Sequence, residues 1–468
     1  MKNSKQNQNK RFFSFIASAY MIAVISAVFF YEWITYYNLD IVLPYHYKGH
    51  WVIMGVYIAE LMIFFSVYGG LKFGYLKASS SMLSHLLAVF CTNMLMFLQI
   101  SMLSAKIAQI EPFINMNLAD FAIIIVSAFA IEALHSKLFP PHDVFIVYDE
   151  YKPNAMMTKL RYRDDKFNIE LVKNVNEISW EEFKEHANKY GTVLIYDIHS
   201  ELRNKILKYC YAQDIRIYAT TKISDILLKG ADDIHIFDTP ILLIRNSGLT
   251  LWERIIKRLM DITFSIIVLI IFSPVMLITA IAIKAYDGGP VLFRQERYTI
   301  GGRIFRIHKF RSMIVDAESD GRVIPTSDKD PRITPIGDFI RKTRIDELPQ
   351  MIDILKGDMS LVGPRPERVE HVEKYTEAIS EFDLRLKVKG GLTGYAQIYG
   401  KYNTTAYDKI KLDLMYIQNY SILLDIKMLF LTLKVVFMKE STEGFSEEQK
   451  IKITADMKQN SMNNNIEE

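Results

Sequence analysis

Cysteine is nearly absent from this chain, since only Cys91 and Cys210 occur among its 468 residues. Two isolated thiols form neither a disulfide framework nor a metal cluster, so the soluble parts are expected in a reducing compartment. An excess of charge of one sign is also lacking. The formal net charge is only +3, which gives no argument for a nucleic-acid partner, and we expect none.

Long apolar runs are abundant, because half of the residues are hydrophobic although 23% are charged. This mixture indicates membrane segments joined to globular parts. Within residues 1–140, four runs approach the length of about 20 residues that crosses a bilayer. They cover residues 12–33, 51–69, 82–104 and 113–134. No small-residue cleavage site follows the first run, so we predict a four-helix transmembrane domain rather than a cleaved signal peptide.

The orientation of these spans follows from the cations around them. Lys2, Lys5, Lys10 and Arg11 precede the first run, and Lys72 and Lys77 lie between the second and third. The other two loops are poorer in Lys and Arg. Because cations favour the cytoplasmic side, both ends of the four-helix domain should face the cytoplasm.

Residues 141–250 read as a small α/β domain. Short apolar segments that alternate with helical stretches predict a parallel sheet. The predicted strands are DVFIVYD (143–149), NIELVKN (168–174), TVLIYDI (192–198) and IRIYATT (215–221). The turn after the first, VFIVYDEYKPNA, has no glycine, which argues against dinucleotide binding. We interpret the domain as a degenerate Rossmann-like fold with a structural or regulatory role.

A fifth apolar run, residues 262–283, carries no charge but is interrupted by Ser273-Pro274. Proline removes a helical hydrogen bond, so a kink is expected there. A first arm of about 12 residues would rise only about 18 Å, and basic residues flank both ends. We therefore predict a re-entrant helix over residues 259–285 whose ends both return to the cytoplasmic face. A proline-kinked fifth span is the alternative.

The stretch RKTRIDELPQ (341–350) contains an acidic pair, Asp346 and Glu347, among cations and before Pro349. Acidic residues favour the first turn of a helix, so capping is one interpretation. The surrounding chain indicates another. A basic segment (294–311) precedes the acidic pair. Two segments follow it, an arginine between prolines in LVGPRP (361–366) and a glycine-rich loop, GGLTGYAQ (390–397).

Together these segments suit a diphosphate beside a membrane. Arginine can make two-point contacts with phosphate. Mg²⁺ takes one or two carboxylates plus phosphate oxygens, and a carboxylate can itself attack phosphorus. One of the two acidic residues could therefore bind metal while the other acts as nucleophile. The glycine loop could approach a ligand, or merely turn sharply.

At this point the motifs resemble those of the bacterial sugar transferase family, the monotopic polyprenol-phosphate phosphoglycosyl transferases. The motifs that carry the resemblance are KFRSM (309–313), DPRIT (330–334), RIDELPQ (344–350), GDMSLVGPRP (357–366) and GLTGYAQ (391–397). The whole chain resembles the long form, typified by undecaprenyl-phosphate galactose or glucose phosphotransferases. Such a protein moves a hexose 1-phosphate from a UDP-sugar to undecaprenyl phosphate and releases UMP, which starts capsule, exopolysaccharide or O-antigen synthesis.

The resemblance also implies roles for individual residues. Asp346 would be the nucleophile that forms a covalent phosphosugar intermediate, and Glu347 would bind Mg²⁺. The remaining family positions concern substrate contacts and the membrane helix. They are Arg341 for phosphate, Lys309 and Arg311 for phosphate or lipid headgroup, Pro364, Arg365 and Pro366 for the uridine phosphate, and Ser273-Pro274 for the re-entrant break. Gly390-Gly391 departs from the Pro-Gly usual in the family.

The predicted architecture is thus a four-span bundle, an α/β parallel-sheet domain and a mostly helical monotopic catalytic domain over residues 251–440. Residues 411–438 suit interfacial helices, or core helices in their first half, and the polar tail 441–468 suits disorder. We expect a multi-pass protein of the bacterial inner membrane, with its catalytic domain cytoplasmic, and a homodimer as in long-form relatives. Competing interpretations are a non-catalytic scaffold or sensor, and an extracellular catalytic part. The sequence leaves the identity of the hexose open.

Overall fold

The computed structural model describes residues 2–244, 248–315, 317, 330–400 and 404–436. The chain forms two compact units, Met1–Thr221 and Lys222–Glu468.

The first unit begins with long apolar helices. They are α1 (Lys2–Glu32), which continues through a π-helical turn into α2 (Asn38–Asp40), α3 (Lys48–Tyr68), α4 (Ala78–Leu103) and α5 (Ile110–Leu138). By length and composition, α1 with its extension, α3, α4, α5 and one helix of the second unit could each cross a membrane. Each predicted apolar run coincides with one of these helices, and none extends more than one residue beyond its bounds.

Asp120, the acidic residue inside the fourth apolar run, lies in the interior of this helical bundle. Its carboxylate accepts a hydrogen bond of 3.0 Å from the Asn93 amide, and Asn93 in turn accepts one of 2.8 Å from the Tyr57 hydroxyl. All three side chains are buried. Polar groups in an apolar environment need such partners, which explains why a carboxyl group is tolerated within α5.

A parallel four-stranded sheet follows in the same unit, as predicted. Its strands β1 (His142–Tyr148), β2 (Phe167–Asn174), β3 (Thr192–Tyr196) and β4 (Arg216–Ala219) run in the order β2-β1-β3-β4. They alternate with α6 (Asn154–Arg161), α7 (Trp180–Tyr190) and α8 (Ser200–Ala212). Apolar side chains of β1 and β3 form a core on each face of the sheet, which accounts for their continuous hydrophobic runs.

The second unit starts with α9 (Ile223–Lys229) and an exposed antiparallel ribbon of β5 (Asp232–Ile236) and β6 (Thr239–Leu243). The helix α10 (Leu251–Asp287) and a second ribbon, β7 (Leu292–Tyr298) with β8 (Ile304–Phe310), come next. The remaining elements are mostly helical. They are α11 (Pro335–Lys342), α12 (Gln350–Lys356), β9 (Ser360–Val362), α13 (Val369–Ala378), β10 (Gly391–Thr393), α14 (Tyr395–Tyr399), α15 (Ala406–Gln418) and α16 (Ile422–Val436).

Helix α10 contains the fifth apolar run. Thr250 caps it, because its hydroxyl accepts from Glu253 N while the Glu253 carboxylate accepts from Thr250 N. Every residue to Asp287 is helical, with Pro274 inside the helix, and the Ser273 hydroxyl donates to the Ile270 carbonyl at 2.9 Å. The Ser-Pro pair therefore stands within one continuous helical segment.

Both arms of α10 contact the rest of this unit. On the first arm, the guanidinium of Arg258 donates to the carbonyls of Ile354 and Leu355, both at 2.6 Å, at the end of α12. On the second arm, Ile283 clusters with Phe310 of β8 and Ile340 of α11. The stretch between these contacts is largely exposed.

The glycine-rich segment 390–397 is largely regular secondary structure. It contains β10 and the start of α14, and β10 pairs in parallel with β9. A Cβ on Gly391 would lie 2.1 Å from Gly363 N, and one on Gly394 would lie 2.1 Å from Gly363 O. These glycines are needed because two backbone segments touch, a requirement that neither alternative for this sequence named.

The helices near the C-terminus pack into this unit. In α15, Ile410, Leu414 and Tyr416 are buried, as are Met428 and Leu431 in α16. The first half of segment 411–438 is therefore core, the alternative to an interfacial helix. The predicted disordered tail, 441–468, lies outside the described residues.

Candidate active site

The β7/β8 ribbon carries Lys309 to the acidic pair. The next residue towards the ribbon's tip, His308, is anchored to α12. Its backbone N–H lies 2.8 Å from Asp353 Oδ2 and its Nδ1 lies 2.6 Å from Asp353 Oδ1. Asp353 is fully buried. This two-point contact fixes the end of β8 against α12.

The acidic pair lies on a 3-10 turn, Ile345–Glu347, between α11 and α12. Arg344, which precedes the turn, has φ of 59°, a left-handed conformation that is uncommon for a residue with a side chain. Helix α12 begins at Gln350, and neither carboxylate caps it. No capping hydrogen bond to α12 is present, but both acidic residues stand in the first turn of the 3-10 segment before it, so a favourable placement at a helix start stays a prediction.

Glu347 is surrounded by cations. Its Oε1 lies 2.9 Å from Lys309 Nζ, 3.3 Å from Arg365 Nη2 and 3.7 Å from Arg344 Nη1. The Glu347 side chain is 13% exposed. Ion pairs that are largely shielded from water are screened much less than surface pairs, so these three cations hold the carboxylate firmly.

The two neighbouring carboxyl groups have opposite properties. Burial, then the charge of Glu347, raises the pKa of Asp346. Burial alone would raise the pKa of Glu347 too, but Lys309, Arg365 and Arg344 outweigh it and hold that pKa below its usual range. Asp346 is buried, and its Oδ1 has no hydrogen-bond partner among the described residues. The site therefore combines a fixed anion with a more basic, uncommitted carboxylate oxygen.

The Pro-Arg-Pro segment, residues 364–366, follows β9 and presents Arg365 to Glu347. Asp261 of α10 accepts hydrogen bonds from Leu361 N at 2.9 Å and from the Ser360 hydroxyl at 3.0 Å. Helix α10 thus holds the strand from which Arg365 extends. A Cβ on Gly390 would touch Pro366 at 3.0 Å. The position at which this chain departs from the family pattern therefore lies against the Pro-Arg-Pro segment.

The other predicted site residues are placed differently. Arg341 occupies the last turn of α11. The pKa of Asp346 is raised by burial and by Glu347, and the charge of Arg341 offsets part of that rise. Arg311 instead forms an ion pair with Asp287 at the end of α10. This buried guanidinium secures the helix end, and the implied contact of Arg311 with phosphate or a lipid headgroup stays a prediction.

Sequence reasoning assigned no role to Arg344, although its spacing of three residues from Glu347 was a usable signal. It also missed Arg385 and Arg297, whose guanidinium groups donate to the carbonyls of Arg365 and Pro366 at 2.8 and 3.3 Å. Their distance along the chain from the motif hid these contacts.

The acidic pair fits a magnesium ion. All three cation contacts of Glu347 fall on Oε1, and Asp346 offers an unpartnered oxygen. Among the described residues no group of three or more His, Cys, Asp or Glu side chains could hold a metal alone. Mg²⁺ commonly binds one or two protein carboxylates and completes its coordination shell with substrate phosphates and water.

A known family matches most of the second unit. A model described as "Bacterial sugar transferase" matches residues 252–439. An uncharacterized sugar transferase, EpsL of Bacillus subtilis, is 40% identical over 189 residues, which are 40% of this chain and 91% of that protein. The chain belongs to the bacterial sugar transferase family. All the site residues described above lie within the matched region.

Longer relatives match over part of their length. The UDP-glucose:undecaprenyl-phosphate glucose-1-phosphate transferase of Klebsiella pneumoniae is 39% identical over 254 residues, 53% of each chain. The galactosyl transferase CpsE of Streptococcus agalactiae is 50% identical over 196 residues, 39% of this chain and 42% of that protein. The match thus spans about half the length of the first of these relatives.

Proposed function

We propose that this protein transfers a hexose 1-phosphate from a UDP-sugar to undecaprenyl phosphate and releases UMP. The observation that carries the proposal is the buried Asp346 beside Glu347, with Lys309, Arg344 and Arg365 around the pair. Such a cluster can neutralise a diphosphate while leaving one carboxylate oxygen to attack. Relatives whose names describe this chemistry support it.

The first step is the attack of an Asp346 oxygen on the β-phosphorus of the donor. A bond forms between that oxygen and phosphorus, and the bond from phosphorus to the α–β bridging oxygen breaks. UMP leaves with the bonding electrons, and the sugar remains attached to the phosphorus. A raised pKa makes Asp346 a better nucleophile once it is ionised, and nearby cations stabilise the charge on the departing UMP.

The second step regenerates the carboxylate. A phosphate oxygen of undecaprenyl phosphate attacks the same phosphorus, and the bond to Asp346 breaks. Because UMP has left before the lipid enters, one small site serves both substrates. The order implies ping-pong kinetics.

Mg²⁺ is proposed as the cofactor, with Glu347 as its protein ligand. The ion would neutralise negative charge on the donor diphosphate. Lys309 would keep Glu347 ionised and oriented, and Arg365 would contact the uridine diphosphate.

The packing of α10 supports the re-entrant arrangement. In a straight helix Arg258 and Ile283 would be about 37 Å apart. Yet the two residues contact neighbouring parts of the unit. Arg258 donates to the carbonyl of Ile354, next to Asp353, and Asp353 is bonded to His308. Ile283 clusters with Phe310, only two residues from His308. Two contacts so close together favour a bent helix that returns to one face of the membrane.

We further propose an inner-membrane protein with a cytoplasmic catalytic unit, which acts as a homodimer at the start of capsule, exopolysaccharide or O-antigen synthesis. A reporter fused to the C-terminus should give a cytoplasmic signal if this topology holds. A periplasmic signal would instead support a fifth span with an extracellular catalytic part.

The test is release of UMP by the full chain in nanodiscs, with undecaprenyl phosphate and a panel of UDP-hexoses and UDP-N-acetylhexosamines. At least one donor should release UMP, and Asp346→Ala should not. Asp338→Ala is the matched control, since Asp338 is an exposed carboxylate on α11, paired with Lys342 at 2.6 Å. A wild-type chain inactive with every donor would favour the scaffold or sensor.

A further inference from the structure

The segment from Pro364 to Glu367 is held by its carbonyl oxygens. The two prolines have no N–H group, so half of the segment cannot be fixed through main-chain donors. Instead, all four consecutive carbonyls accept a hydrogen bond. The donors, in order, are Gly391 N at 2.9 Å, Arg385 Nη2 at 2.8 Å, Arg297 Nη1 at 3.3 Å and Tyr298 N at 3.4 Å.

Arg385 is the donor to Arg365 itself. Its side chain is only 2% exposed, and the same Nη2 lies 2.8 Å from Asp413 Oδ2. Its Nη1 lies 4.0 Å from Glu367, which Lys409 also approaches at 2.7 Å. Asp413 is 1% exposed. A guanidinium so enclosed by partners has little freedom, and the Arg365 carbonyl is therefore fixed in place.

The backbone and the side chain of Arg365 differ in how tightly they are held. Its backbone is anchored, whereas its side chain is 41% exposed and reaches Glu347 at 3.3 Å. A long, flexible side chain can bind a ligand with less entropic cost when its base does not move.

We propose that Arg385 is a positioning residue for donor recognition. It fixes the main chain of Arg365, so that the Arg365 guanidinium meets the uridine phosphate in one position, and Asp413 orients it. Arg385 itself touches neither substrate nor reacting atoms. This proposal rests on the proposed function, because it requires that Arg365 contacts the donor.

A purely structural role would give a different result. If the buried ion pairs of Arg385 only stabilise the fold, variants should lower the melting temperature without a specific effect on donor binding. If Arg385 acts through Arg365, its effect on binding should disappear when the Arg365 guanidinium is removed, because coupled residues are not additive.

The experiment measures equilibrium binding of UMP to the full chain in nanodiscs. Arg385→Lys keeps the charge but removes the planar guanidinium whose Nη2 contacts both the Arg365 carbonyl and Asp413. A second variant, Arg385→Met/Asp413→Asn, removes both charges, so that no unpaired carboxylate at position 413 is left to disturb folding. Lys409→Met is the matched control, because it alters the same ion network without touching the Arg365 carbonyl. Each variant is checked by thermal unfolding.

We expect Arg385→Lys and the double variant to weaken UMP binding about tenfold, the size of one charged hydrogen bond. The KM for the UDP-sugar should rise by about the same factor, with kcat changed less than about twofold. Lys409→Met should change binding less than about twofold. In an Arg365→Ala background, Arg385→Lys should have no further effect.

Unchanged UMP binding in Arg385→Lys, or an equal loss in the wild-type and Arg365→Ala backgrounds, would overturn the proposal. Both results still leave a UMP-binding enzyme, so the proposed function would survive. A wild-type chain that neither binds UMP nor releases it from any UDP-sugar would overturn both.

Discussion

Replacement of Lys257 by methionine tests how helix α10 is joined to the rest of the second unit. Lys257 Nζ lies 2.5 Å from Asp425 Oδ2, and the two side chains are 8% and 2% exposed. The Tyr416 hydroxyl donates to Asp425 Oδ1 at 2.8 Å, and its oxygen lies 3.2 Å from the Val362 carbonyl oxygen. The pair therefore connects α10 to α15, to α16 and to the strand that precedes Arg365.

The size of the effect follows from the buried carboxyl group. Without its cation, Asp425 should take up a proton rather than remain charged. Neutralising at pH 7 a carboxyl whose unfolded pKa is about 3.9 costs about 4 kcal/mol, in line with about 3–5 kcal/mol for other broken buried pairs. For a unit of this size, that loss lowers the melting temperature by about 8–16 °C.

The assay is thermal unfolding of the full chain in nanodiscs at pH 7 and pH 5. Lys257→Met should be less destabilising at pH 5, because protonation of Asp425 is then easier. Lys257→Met/Asp425→Leu should recover most of the loss, since it leaves no unpaired charge. Lys284→Met, on the same helix but exposed, is the control and should change little. A shift below about 2 °C in Lys257→Met, or a double variant as unstable as the single one, would refute this reasoning.

Three further predictions concern the site. The raised pKa of Asp346 means that UMP release should be lost on acidification at a higher pH than for an ordinary aspartate. In Glu347→Gln, residual activity should persist to lower pH because the neighbouring negative charge is gone; pH–rate profiles that coincide would contradict this. Glu347→Gln should also weaken the dependence of UMP release on Mg²⁺ concentration, since Mg²⁺ prefers charged oxygen, and an unchanged titration would exclude Glu347 as the ligand. Gly391→Ala should destabilise the catalytic unit by about 1–3 kcal/mol in thermal unfolding, because the added Cβ would meet Gly363 N at 2.1 Å; Gly55→Ala, with nothing within 4 Å, is its control, and equal melting temperatures would contradict the prediction.

Local patterns in the sequence predicted the elements well. The four strands of the parallel sheet were located to within about two residues, because each is a short apolar run between polar segments. The apolar runs likewise predicted the long helices. The family resemblance marked Asp346, Glu347, Lys309 and Arg365, and the structure brings these four together.

Contacts between distant parts of the chain could not be predicted in this way. Arg385 donates a hydrogen bond to the carbonyl of Arg365, 20 residues away in sequence. Arg258 donates one to a carbonyl of α12 that is 96 residues away. No periodicity records such pairs. Arg311 shows the same limit in reverse, since its place in a basic motif suggested phosphate binding, whereas the fold pairs it with Asp287. The contact of the glycine-rich segment with its backbone neighbour, Gly363, was likewise not indicated by its sequence.

The role of Asp346 as nucleophile is tested most directly by intact-protein mass spectrometry of the full chain, incubated with a competent UDP-sugar and no acceptor. The account predicts a wild-type mass increase of one sugar phosphate, loss of that adduct when undecaprenyl phosphate is added, and no adduct in Asp346→Asn. Sustained turnover without any adduct, or an adduct that persists in Asp346→Asn, would contradict it.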